Sequence, residues 1–103
     1  MWQCMHVFRQ RIVADDVDHE VQAWGIERED GRWEGRLVFV PEDGGPVLCT
    51  ERETTQSTLD ALRYWASGLE PVYLEGAFDR AAPVRSLAFT PVILEDGNGT
   101  SVN

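Results

Sequence analysis

The 103-residue chain predicts a single α+β domain, an antiparallel β-meander of about four strands with two C-terminal helices packed on one face. Two observations lead there. Apolar and polar residues alternate through the first half, interrupted by Asp, Gly and Pro clusters, whereas positions 57–82 carry helical spacing, and strands followed by helices make an α+β arrangement. The length leaves room for one core, and 43% hydrophobic residues fill it without a metal or a disulfide staple. The domain is expected to span residues 1–94, with 95–103 a frayed tail around Gly97-Asn98-Gly99-Thr100-Ser101.

The first strand is expected at 6–13, with Phe8 and Ile12 on one face and Arg9 and Arg11 on the other. Asp15-Asp16-Val17-Asp18 breaks it. Segments 20–28 and 32–40 flank Asp30-Gly31, and an Asp-Gly pair between alternating runs favours a two-residue type I′ hairpin turn. That turn puts Gln22, Trp24, Ile26 and Arg28 on one face with Trp33, Gly35, Leu37 and Phe39. The opposite face then carries Arg9, Arg11, Val21, Ala23, Glu27, Glu34, Arg36, Val38 and Val40. A slip of one residue would move Trp24 and Ile26 across the sheet.

Pro41-Glu42-Asp43-Gly44-Gly45-Pro46 reads as a turn, and 47–53 as a short fourth strand at the sheet edge. Ser57 is expected to cap a helix running to Ser67, with Leu59, Leu62, Trp65, Ala66 and Leu69 as its apolar stripe and Gly68 closing it. Pro71 suits the first turn of a second helix over 71–82, with Leu74, Ala77, Phe78 and Ala81 on one side. Residues 84–94 are β-prone, and Pro91 limits them to an edge strand or an extended arm.

Eighteen acidic against nine basic residues give a net charge of −9, a field that repels phosphate backbones and anionic lipid. Direct nucleic-acid binding and membrane association are not expected. Every basic residue is an arginine, which removes lysine Schiff bases and the P-loop lysine. The N-terminus lacks the pattern of a secretory signal, and the longest plainly apolar run is Leu37-Val38-Phe39-Val40. The expectation is a cytoplasmic protein with Cys4 and Cys49 reduced. Met5 offers an alternative start, because the strand pattern begins immediately after it.

The motifs of common enzyme classes are missing: the only histidines are His6 and His19, and no G-x-S-x-G or G-x-G-x-x-G occurs. No catalytic residue, metal or cofactor is assigned. Cys4, His6, His19 and Cys49 lack zinc-ligand spacing. Glu51 and Glu53 sit where a Cys49 thiolate would need positive charge. Glu27 and Glu34, close across the hairpin, read as a solvated pair rather than an acid–base couple.

The leading functional expectation is a non-enzymatic protein-interaction module. It would bind a protein partner, or a second copy of itself, through the mixed sheet face with Arg9, Arg11, Arg36, Val38 and Val40, or through an exposed edge strand. One alternative is a small-molecule-binding domain or small enzyme with a pocket between helices and sheet, lined by Tyr64 and Tyr73 and rimmed by Thr54 and Thr55. Another is an acidic mimic of nucleic acid that occupies a nucleic-acid-binding protein. The arginines interleaved in Glu27-Arg28-Glu29-Asp30-Gly31-Arg32 argue against that last reading.

Overall fold

The computed structural model describes residues 1–84, so the expectations for 85–103 fall outside the described residues. Six strands and two helices follow in the order β1 (Gln3–Ala14), β2 (Val17–Glu27), β3 (Trp33–Pro41), β4 (Leu48–Cys49), β5 (Thr54–Gln56), α1 (Leu59–Ser67), α2 (Pro71–Arg80) and β6 (Ala82–Pro83). The α+β meander with C-terminal helices is the expected architecture, with two short strands more than expected. The strands form one antiparallel sheet in the order β1-β2-β3-β4-β6, with β5 also paired to β3.

The register of β2 against β3 differs from expectation by one residue, and the loop is the reason. The Arg28 amide donates to the Arg32 carbonyl at 2.7 Å, and Gly31, at φ +85°, donates to the Arg28 carbonyl at 3.0 Å. This is a three-residue loop, a turn followed by a left-handed glycine, rather than a two-residue turn. Ala23 therefore pairs with Leu37 and Trp24 with Arg36. Val21 and Ala23 join Leu37 and Phe39 on the helix side, while Gln22, Trp24 and Ile26 lie on the other face. The two-residue turn occurs instead between β1 and β2, where Asp15 and Asp16 both have positive φ, 52° and 65°. Aspartate tolerates the left-handed region better than most residues with a Cβ.

The expected fourth strand divides in two. Leu48 and Cys49 pair with Phe39 and Val38, while Thr54–Gln56 pairs with Trp33–Gly35. Between them Thr50 is buried, and its hydroxyl accepts from the Leu37 amide at 3.1 Å while its own amide donates to the Leu37 carbonyl at 3.0 Å. The side chain thus satisfies a donor that the interrupted ladder would leave bare. β6 pairs with β4, so β4 is not the sheet edge, and α2 ends at Arg80 rather than 82. Thr58, not Ser57, caps α1: its Oγ1 accepts from the Ala61 amide at 3.0 Å.

The main core lies between the sheet and the helices, with Phe8, Ile12, Val21, Ala23, Leu37 and Phe39 meeting Ala66, Leu74 and Ala77. Gly25 and Gly35 are cross-strand partners, and the fully buried Leu62 of α1 rests on both. A Cβ at Gly25 would collide with Leu62, and one at Gly35 would lie 2.8 Å from it. The glycines make a slot that seats the helix against the sheet. Trp24, Val38 and Val47 form a second cluster on the opposite face, packed by Trp2, Val40, Cys49 and Val84. Trp24 Nε1 donates to Gln22 Oε1 at 2.8 Å, and Gln22 Nε2 donates to Glu20 Oε2 at 2.9 Å. This chain satisfies the buried glutamine, and the donor-only indole fixes its orientation.

Candidate functional site

β1 forms one edge of the sheet, and its outer side carries no strand among the described residues. Its local sequence is favourable for pairing: β-branched Val7, Ile12 and Val13 in a twelve-residue strand with no acidic residue and no proline. Phe8 and Ile12 face the core, while Val7 at 53% and Val13 at 68% exposure stand outward with Arg9 and Arg11. Irregularities between Cys4 and His6 and between Val7 and Arg11 bend the strand. Arg11 is tied back, its Nε 2.8 Å from Asp18 Oδ1 and its Nη2 2.7 Å from Glu42 Oε2. Arg9 meets no carboxylate among the described residues.

The five residues expected to form a partner-binding face do not lie together on an open surface. Val38 is fully buried as a member of the second cluster, and Val40 packs half-buried against it. Arg36 donates from Nε to Glu34 Oε2 at 2.9 Å and lies 5.2 Å over the Trp2 ring. Arg9 and Arg11 stand apart on the β1 edge. Val7 and Val13 were not among the expected residues, although their alternation with Arg9 and Arg11 is written in the sequence.

Beside Arg36 an open cleft of about 580 Å³ runs along the end of the sheet, lined by Trp2, Ile26, Arg28, Glu34 and Arg36. Arg28 reaches Asp30 at 3.5 Å and Glu34 at 3.8 Å, so acid and base alternate along its floor. The Cys49 thiol donates to the Thr50 carbonyl at 3.1 Å. Burial pushes its pKa up to about 11 against the opposing pull of Arg36. A thiol held protonated at neutral pH is a small hydrophobe rather than a nucleophile.

The residues expected around a helix–sheet pocket are dispersed. Tyr64 projects from α1 with 83% of its surface exposed. Tyr73 lies on α2, where its hydroxyl donates to Glu53 Oε1, the same oxygen that receives Arg80 Nη2 at 2.7 Å. The Glu53 side chain is only 8% exposed. Burial and the carboxylate together push the phenol up to about 12. The triad is a clamp holding α2 to the segment before β5. Thr54 and Thr55 belong to β5, where Thr54 Oγ1 accepts from Gln56 Nε2 at 2.7 Å.

Among the described residues no three His, Cys, Asp or Glu side chains converge as a metal site, and no helix is long and apolar enough to cross a membrane. No protein-family model matches the chain, and neither a curated protein nor a solved structure matches it.

Proposed function

We propose that the protein is a non-enzymatic interaction module that binds an extended segment of a protein partner by strand addition at the outer edge of β1. The observation that carries this reading is a twelve-residue edge strand with exposed Val7 and Val13. Such an edge offers backbone donors and acceptors on either side of the irregularity between Val7 and Arg11. A segment laid along it gains main-chain hydrogen bonds, and alternate side chains set specificity. The pattern valine, Arg9, Arg11, valine calls for short apolar residues at the ends of the incoming strand. An acidic residue is called for opposite Arg9, because Arg11 is already matched by Asp18 and Glu42. Beyond the contact, a charge of −9 favours a partner that is basic overall.

The test uses hydrogen exchange on the full chain, titrated with a peptide that alternates threonine with valine, glutamate and valine and ends in lysine. The expected result is slowed exchange in β1, weaker when the glutamate is replaced by lysine and weaker for Arg9→Glu. Unchanged β1 exchange at saturating peptide overturns the reading. Protection that grows with protein concentration and needs no peptide would make the added strand a second copy of the chain.

A further inference from the structure

At the end of the sheet that carries the β1–β2 turn, a second cavity of about 250 Å³ is walled by Leu48, Pro46 and Phe78 and bordered by His19, Asp15 and Asp43. His19 is 7% exposed, and its Nδ1 lies 3.1 Å from the carbonyl oxygens of both Ile12 and Val17. Carbonyls only accept, so Nδ1 is committed as a donor, and Nε2 is the ring position left to accept. Phe78 meets the ring edge to face at 5.0 Å between centroids and fixes its plane. Nε2 has no partner among the described residues, and it is not sealed away: the one enclosed side-chain polar atom there without a hydrogen bond is Arg28 Nε. The ring is therefore an almost buried acceptor bordering an open cavity.

The other polar groups have the same sign. Asp43 Oδ1 accepts from the Gly45 amide at 2.8 Å, which leaves Oδ2, and the Gly44 amide is directed to the Pro41 carbonyl. Neither Asp15 nor Asp43 pairs with an arginine among the described residues. Acceptors and uncompensated carboxylates above an apolar wall suit a donor-rich cation on a hydrocarbon stem and disfavour an anion. The volume is below the roughly 300–1,000 Å³ of sites that enclose drug-sized ligands, and matches a single chain-like group.

We infer that this cavity binds an alkylammonium group, its ammonium shared between His19 Nε2 and the Asp15 and Asp43 carboxylates and its stem lying against Phe78, Leu48 and Pro46. The source is a free small amine or the lysine side chain of a protein. The cavity shares only Ala14 with the β1 edge and rests on separate observations, so either proposal survives failure of the other.

Side-chain NMR of the isotope-labelled full chain tests it, with n-butylammonium, Nα-acetyl-lysine methylamide and uncharged butanol as probes. The expected result is saturable shifts at His19 and Phe78 with a dissociation constant of about 1–10 mM for the amines. Asp43→Asn, which keeps the acceptor for Gly45, weakens binding about fivefold or more. His19→Asn does the same, because its amide replaces the Nδ1 donor but offers nothing at the Nε2 position. Should that variant fail to fold, the exposed substitutions Asp15→Asn and Asp43→Asn carry the test. Saturation by butylammonium alone assigns a free amine, and comparable saturation by the lysine derivative assigns a protein side chain. Butanol binding as well as butylammonium, shifts indifferent to both aspartate substitutions, or no saturable shift overturns the inference.

Discussion

Two half-buried groups, the Cys49 thiol and the Tyr73 hydroxyl, titrate at high pH and give the fold an alkaline limit. Burial raises Cys49 from 9.0 to about 11, and burial with Glu53 raises Tyr73 from 10.0 to about 12. The unfolded chain therefore releases these protons before the folded one does. Their stabilising contribution is complete below about pH 9, and it is lost as pH rises through the folded values. Cys4, also pushed up by burial, acts in the same direction. Urea midpoints followed by circular dichroism should fall between pH 9 and 12. The slope between 9 and 11 should flatten in Cys49→Ala and that between 10 and 12 in Tyr73→Phe. A midpoint independent of pH over that range would show that neither proton is held by the fold. None of this was legible beforehand: the sequence places Glu51 and Glu53 near Cys49, but not the barrier to ionisation set by its packing under Trp24 and Val38.

At the level of elements, residue patterning was sufficient for the strand–strand–strand–helix–helix order and insufficient for one register. Asp-Asp at 15–16 and Asp-Gly at 30–31 lie in two different hairpin loops, and propensity assigns the two-residue turn to the glycine pair. In the fold the aspartates take it, and Gly31 serves as the left-handed residue of a longer loop. One extra loop residue is invisible to alternation, because both faces of β2 carry apolar residues, yet it exchanges Trp24 for Ala23 in the main core. The exchange explains the glycines. With Gly25 and Gly35 opposite each other on the helix side, α1 approaches closely enough for Leu62 to occupy the space of two side chains. Gly25→Ala should then destabilise by about 1–3 kcal/mol through overpacking. In a Leu62→Ala background, itself less stable by about 2–5 kcal/mol, the same substitution should become neutral or stabilising, since alanine restricts the unfolded chain more than glycine does. A double-mutant cycle by urea denaturation measures the coupling. Additive effects would mean that the helix does not depend on the slot.

Across the whole molecule the excess of acid acts on every proposal made above. The chain carries nine net negative charges on a fold with a radius of gyration of 13.4 Å, and Coulomb's law in water makes the self-repulsion of such a charge on the order of several kcal/mol before screening. Unfolding spreads the same charges over roughly twice the radius and relieves much of it. The opposing term is the set of arginine–carboxylate pairs, most with at least one partner well exposed, each contributing about 0.2–1 kcal/mol. These pairs span 2.7–4.0 Å, well inside the screening length of about 8–10 Å at moderate salt, whereas repulsion across the molecule acts over longer distances and is screened first. The net effect of salt is therefore stabilising. Raising sodium chloride from about 10 mM to 300 mM, where the screening length falls well below the molecular radius, should increase Tm by about 4–8 °C, the shift that corresponds to roughly 1 kcal/mol in a domain of this size. A fall in Tm would mean that the ion pairs outweigh the field. The same screening separates the two binding proposals by their salt response. A strand held on β1 by backbone hydrogen bonds should keep most of its affinity at 300 mM, while a cation held by His19, Asp15 and Asp43 should lose a larger share.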